Sequence, residues 1–132
     1  MVIDDDEHTA ALAADYLEMA GFEAFQAPDG KAGVEKALRL KPELVLVDLM
    51  MPKMHGWQVC ERLRAEESTK GIRILVTSSK TFPADIALAM SAGADAYLKK
   101  PYLCKDLFDK LREILGPEVI APEGPMGMSE ER

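Results

Sequence analysis

The chain has 132 residues, 48% apolar and 30% charged, with a formal net charge of −7. That length supports one domain with a real core and leaves no room for a second. The acidic balance argues against a nucleic-acid surface on the chain itself, because phosphate backbones reward clustered Lys and Arg; DNA binding by a partner stays open.

No stretch approaches the ~18 apolar residues of a membrane span. Acids from Asp4 onward do not fit a secretory leader. Cys60 and Cys104 show no metal spacing, are too few for a disulfide scaffold, and fall on apolar helical faces where core packing is expected. A cytoplasmic protein without a membrane partner is the expectation.

Helical and strand-like segments alternate along the chain. Val2-Ile3 is a short apolar stretch before three acids, Asp4-Asp5-Asp6. Glu7 to Ala20 carries Leu12, Tyr16, Met19 and Ala20 at helical spacing, and Gly21 supplies a stop. Phe22 to Ala27 reads as a strand, followed by a Pro28-Asp29-Gly30 turn. Lys31 to Leu40 is helical, with Val34, Ala37 and Leu38 on one face and Pro42 just past its end. Leu44 to Val47 is a continuous branched-aliphatic run of the kind that suits a parallel strand buried on both faces. Trp57 to Glu66 is a helix with Trp57, Cys60 and Leu63 in one stripe, and Ile72 to Val76 is the next strand. Pro83 suits the first turn of a helix that runs to Ser91 and closes at Gly93. Ala96 to Leu98 is the fifth strand, and Leu103 to Leu115 is an amphipathic helix stopped by Gly116-Pro117. A βα unit repeated five times requires, with right-handed crossovers, a parallel sheet covered on both faces. Residues 117–132, with Pro117, Pro122, Pro125, Gly124 and Gly127, bury little apolar surface and read as a flexible tail or linker stub after a domain over residues 1–116.

The chemistry collects at the strand ends. Strands one, three, four and five end at Asp4/Asp5, Asp48, Thr77 and Lys100, and a parallel sheet brings all four ends to one edge. Clustered carboxylates repel unless a cation neutralises them, and hard oxygen ligands with open positions suit Mg²⁺. A carboxylate can also be a nucleophile that accepts a phosphoryl group. Lys100 would then pair with a phosphoryl oxygen while the Thr77 hydroxyl donates to another.

Four segments carry a resemblance. Val2-Ile3-Asp4-Asp5-Asp6, Val47-Asp48-Leu49-Met50-Met51-Pro52-Lys53-Met54-His55-Gly56, Leu75-Val76-Thr77-Ser78 and Ala96-Tyr97-Leu98-Lys99-Lys100-Pro101 resemble, in order and spacing, the signature segments of response-regulator receiver domains. The resemblance covers residues 1 to about 116 and implies a flavodoxin-like doubly wound α/β fold: five parallel strands ordered 2-1-3-4-5 with five flanking helices. It implies a phosphorylation-controlled switch of a two-component phosphorelay, which modifies and unmodifies itself and is not a turnover enzyme. Asp48 matches the phosphoacceptor. Asp5 matches a direct Mg²⁺ ligand, Asp4 one acting through water, and the Met50 main-chain carbonyl completes the set, with Mn²⁺ a substitute metal. Thr77 matches the switch hydroxyl, the Ser78 backbone N–H a further phosphoryl contact, Lys100 the phosphate-pairing lysine and Tyr97 the aromatic that follows Thr77. Pro101 is expected after a cis peptide bond. The implied partners are a sensor histidine kinase or histidine phosphotransfer protein and a downstream effector protein or domain; any homodimer would use the face of the last helix.

Two departures stand out. Only three residues precede the acids, where the family has six or seven, so strand one is short or trimmed. His55 replaces the usual Asp before Gly56, in a loop where a local effect is expected.

Each residue also has a plainer role. The acids after strand one would cap a helix, as Asp6 is expected to do; Thr77 could bond its own backbone; Lys100 could be a surface lysine like Lys99; Tyr97 could be a half-buried strand aromatic. His8 and His55 read as solvated, and Met50, Met51 and Met54 as a soft loop surface. A haloacid-dehalogenase-type phosphatase also uses a strand-end aspartate and Mg²⁺, but its Asp-x-Asp-x-Thr/Val motif meets His8 here. A flavin or nucleotide binder of similar topology lacks its Gly-rich phosphate loop.

Overall fold

Capping and stop residues set the element boundaries in the computed structural model, which describes residues 1–80 and 82–119. In chain order these are β1 (Val2–Ile3), α1 (Glu7–Met19), β2 (Gln26–Ala27), α2 (Gly30–Leu40), β3 (Leu44–Asp48), α3 (Gly56–Ala65), β4 (Arg73–Ser78), α4 (Pro83–Ser91), β5 (Ala96–Lys99) and α5 (Cys104–Leu115), then a 3-10 turn at Pro117–Val119. Asp6 opens α1: one carboxylate oxygen accepts the His8 N–H at 3.1 Å and the other the Thr9 hydroxyl at 2.8 Å. Asp29 opens α2 in the same way, accepting the Ala32 N–H at 2.8 Å. The domain boundary drawn at residue 116 falls just before the 3-10 turn, and residues 120–132 lie outside the described residues.

The sheet is all parallel, in the order β2-β1-β3-β4-β5, the doubly wound arrangement that the alternation of elements demanded. The expected strand over Phe22–Ala27 contracts to Gln26–Ala27. The first part of it is consumed in ending α1: the Gly21 N–H donates to the Glu18 carbonyl at 3.0 Å and the Phe22 N–H to the Leu17 carbonyl at 3.0 Å, with Gly21 at φ +99°. Those two bonds form a Schellman motif, which draws Phe22 into the helix end. β1 also offers only two residues for pairing.

Strand alternation sorts the core into two layers. Ile3, Val45, Val47, Ile74 and Val76 face α2, α3 and α4. Val2, Leu44, Leu46, Leu75, Ala96 and Leu98 face α1 and α5. Full burial of an aliphatic side chain such as Ile3, Leu46 or Leu75 contributes about 1.5–3 kcal/mol before chain entropy is charged against it. Cys60 lies in the first layer with no exposure, and Cys104 is partly buried at the start of α5.

α2 lies so close to β1 that residue 33 has no room for a side chain. A Cβ on Gly33 would sit 2.5 Å from Ile3 Cδ1 and 2.8 Å from its Cγ1, and Ile3 has no exposed face into which to retreat. Gly33→Ala is therefore expected to lower stability by about 1–3 kcal/mol through overpacking, read as a lower urea midpoint with an unchanged slope; an unchanged midpoint would mean that α2 can lift from the sheet at no cost.

Candidate functional site

The strand registers carry the acids, the hydroxyl and the lysine to one place. Ile3 pairs with Val47, so Asp4 is level with Asp48 one residue on. Asp48 pairs with Thr77, and Ser78 pairs with Lys99, which leaves Lys100 one step beyond the sheet. Alternation then gives Asp4, Asp48, Thr77 and Lys100 the parity of Val2, Leu46, Leu75 and Leu98, so all four belong to the α1/α5 face. Tyr97 has the opposite parity and packs, half-buried, against the other layer.

Lys100 sits between two of the acids. Its Nζ is 2.9 Å from Asp4 Oδ2 and 3.4 Å from Asp48 Oδ1. The other Asp4 oxygen accepts the Asp6 N–H at 3.0 Å, so both oxygens of this buried side chain are engaged by protein. Asp5 is exposed. Asp4, Asp5 and Asp48 each offer an oxygen, and these oxygens lie within 4.8 Å of one another. Burial pushes the Asp48 carboxyl up to about 6; Lys100 opposes the shift, while Asp4 and Asp5 add to it. At Lys100 burial acts downward, but the hydrogen bond it donates to Asp4 and the attraction of Asp48 outweigh it and raise the ammonium above its ordinary value. Three carboxylates against one ammonium make a site short of positive charge, and its donors are hard oxygens. A divalent cation such as Mg²⁺ fits it.

The loop after Asp48 is folded back on its own strand. The Leu49 N–H donates to the Thr77 carbonyl at 2.9 Å, and the Gly56 N–H donates to the Leu49 carbonyl at 2.8 Å. A Cβ on Gly56 would lie 2.2 Å from the Asp48 carbonyl oxygen, so α3 can begin against the strand end only with glycine there. That contact is invisible in the sequence, where Gly56 marks only a loop. Of the three loop methionines, Met50 alone is on the surface, at 42% exposure; Met51 is 3% exposed and Met54 packs against the core. Leu49 and Met51 fill the layer under α3, which is why the expected methionine surface reduces to one residue. His8 is exposed as expected. His55 is partly exposed: its ring stacks beside Trp57 at 6.3 Å, and its buried Nδ1 has no hydrogen-bond partner.

Thr77 and Ser78 are buried at the end of β4. The Ser78 carbonyl accepts the Lys100 N–H at 2.8 Å, and its hydroxyl accepts the Lys80 N–H at 3.0 Å. The Tyr97 hydroxyl donates to the Lys80 carbonyl. The Lys100–Pro101 bond is cis.

Asp48 gives the protein a pH dependence in metal-free buffer. Its folded-state value of about 6 lies above the ordinary 3.8, so ionisation destabilises the fold; the cost is absent below the lower value and complete above the upper one. Asp48→Asn is expected to stabilise the metal-free protein by about 1–3 kcal/mol at pH 7, an advantage that fades as pH falls through 6 towards 4. Denaturant midpoints measured across that range check it, and a pH-independent difference would contradict it.

Comparison with known proteins agrees with this geometry. The family model of the response regulator receiver domain matches residues 1–112. The chain is 38% identical over 115 residues to the DNA-binding dual master transcriptional regulator RpaA of Synechocystis sp., covering 87% of this chain and 48% of that protein. It is 33% identical over 127 residues to the alkaline phosphatase synthesis transcriptional regulatory protein PhoP of Bacillus subtilis, covering 96% and 52%. The chain thus spans about half the length of the curated relatives it matches. Among solved structures, the chemotaxis protein CheY4 of Vibrio cholerae superposes with a TM-score of 0.81 at 26% identity, covering 86% of this chain and 94% of that one. A putative response regulator from Chloroflexus aurantiacus superposes with a TM-score of 0.82 at 27% identity, covering 86% and 93%. The fold, the four strand-end segments and the relatives agree: the chain belongs to the response regulator receiver domain family.

Proposed function

We propose that this receiver domain is a switch set by transfer of a phosphoryl group from a phosphohistidine donor to Asp48 in the presence of Mg²⁺. The observation that carries the reading is the row of Asp4, Asp48, Thr77 and Lys100 on one face of the sheet edge, with Asp5 beside it. An Asp48 carboxylate oxygen attacks phosphorus in line with the phosphorus–nitrogen bond, which breaks and returns its electron pair to the imidazole. Asp5, Asp48 and the Met50 main-chain carbonyl would hold the metal directly, and Asp4 through water. The cation supplies charge neutralisation for the phosphoryl oxygens, and Mn²⁺ can stand in for it. Lys100, already poised between Asp4 and Asp48, pairs with one phosphoryl oxygen. The Thr77 hydroxyl and the Ser78 N–H donate to others. Water attack on phosphorus later restores the Asp48 carboxylate and releases phosphate, so the domain resets itself without turning over a separate substrate.

The donor is a sensor histidine kinase or histidine phosphotransfer protein. The recipient of the signal is an effector protein or domain that reads the surface near Thr77 and Tyr97, whose two-state equilibrium the phosphoryl group biases. DNA binding is named for the RpaA and MtrA relatives; at a net charge of −7, this chain would contribute regulation, with an effector making any nucleic-acid contact. No helix of the described residues is long and apolar enough to cross a membrane, consistent with a cytoplasmic site of action.

Incubation with acetyl phosphate and Mg²⁺ should add one phosphoryl group to the intact mass. The gain should vanish in Asp48→Ala and after chelation of the metal. Lys100→Ala should slow it about 100-fold, the scale on which losing one preorganised charge or donor acts. Equal gains in the parent and Asp48→Ala would refute the assignment. Turnover of p-nitrophenyl phosphate should stay at background; sustained turnover would make the domain a phosphatase.

A further inference from the structure

A cavity of about 280 Å³ opens beside the acidic site, walled by Thr9, Leu12, Ser79, Lys100, Pro101 and Tyr102. It lies between α1 and the loops that follow β4 and β5. An apolar cavity of about 150 Å³ is enough to take up benzene, so this one has room for a ring-sized group. Phosphoryl transfer to Asp48, as written above, makes no use of it.

Its walls are mostly uncharged. Leu12 is 50% exposed on α1, and the Thr9 hydroxyl is committed to Asp6, to which it donates at 2.8 Å. Tyr16 braces Tyr102, with the two ring centroids 6.4 Å apart. Burial, with Asp4 adding to it, pushes the Tyr102 phenol up to about 12, so that wall is neutral in ordinary buffer. Lys100 is the one charged residue among the six. The same ammonium stands 2.9 Å from Asp4 Oδ2 and 3.4 Å from Asp48 Oδ1, so cavity and site share the lysine. A phosphoryl group paired with Lys100 carries whatever is bonded to its phosphorus to the edge of the cavity.

We propose that this cavity is a leaving-group subsite, which makes acyl phosphates with an apolar, ring-sized acyl group the preferred small-molecule donors to Asp48. The proposal rests on the phosphoryl-switch reading and adds a substrate class to it. An Asp48 carboxylate oxygen forms the new bond to phosphorus, and the bond from phosphorus to the acyl oxygen breaks. Its electron pair leaves on that oxygen as the free carboxylate, and no proton is transferred. Lys100 pairs with the phosphoryl group, while the acyl body lies against Leu12, Pro101 and Tyr102. A methyl group, as in acetyl phosphate, covers little of that wall; a phenyl ring covers far more. Contact made by the larger donor alone is read as a preference between donors.

Phosphorylation of the full chain in the presence of Mg²⁺, followed by intact mass, compares benzoyl phosphate with acetyl phosphate, both well below saturation. The second-order rate constant should be about 10-fold higher for benzoyl phosphate, the scale of withdrawing about 50 Å² of ring from water. Leu12→Ser should lower the benzoyl-to-acetyl ratio by about 3- to 5-fold, since it strips an apolar wall from the cavity. Leu12→Trp, which fills the cavity with a ring of its own, should lower the ratio further and serves as the second variant should the first not fold. The ratio separates the subsite from any difference in the intrinsic reactivity of the two reagents, which no change at Leu12 can alter. Equal constants in the parent chain, or a ratio that the folded Leu12 variants leave unchanged, would overturn the subsite and leave the phosphoryl switch standing. A mass gain from neither donor in the folded parent chain would remove the switch, and the subsite with it.

Discussion

The ion pair between Lys100 and Asp4 closes a long connection in the fold. Ninety-six positions separate the two residues along the chain, and one charged contact joins the end of the first strand to the end of the last. Two carboxylates, those of Asp4 and Asp48, compete for that single ammonium. A pair of this kind, only partly withdrawn from water, contributes modestly to stability on its own. Its importance is positional. The lysine is stationed where additional negative charge will arrive, and Asp48 is kept hard to ionise until further positive charge joins it. The site is therefore unfinished by construction, and its electrostatics favour a complex of carboxylates, cation and anion over the protein alone.

Much of this was legible in the residues. The branched-aliphatic run Leu44–Val47 and the caps and stops at Asp6, Gly21, Pro83 and Gly116 marked the elements, because buried parallel strands and helix ends place strong demands on residue type. The convergence of Asp4, Asp48, Thr77 and Lys100 followed from parallel topology alone. What the residues did not disclose was of a different physical kind. The shortening of β2 depends on how α1 ends and on how few residues β1 offers for pairing. The placement of Gly56 against the Asp48 carbonyl and of Gly33 against Ile3 are distances between segments far apart in sequence. Arg64 serves four acceptors in two later segments, around residues 70–72 and 93–95, contacts that its place on a helix does not announce.

The two layers also divide labour. The α1/α5 face carries the charged row, while the opposite face, under α2, α3 and α4, holds Tyr97 and the loosely seated α4. Thr77 and Tyr97 are near neighbours across paired strands yet point to opposite sides of the sheet.

The shared parity of the strand ends has an evolutionary corollary. Substitution along β3 can be gradual, since one aliphatic residue can replace another at Leu44 or Val45 with small changes in packing. Insertion or deletion of a single residue cannot, because a slip of one turns every following side chain to the other face. Asp48 would then point away from Asp4 and Lys100, and no series of small repairs lies between the two states. Length polymorphism among descendants of this sequence should therefore be confined to the loops and to the chain ends, with the spacing from Leu44 to Asp48 inherited as an indivisible unit.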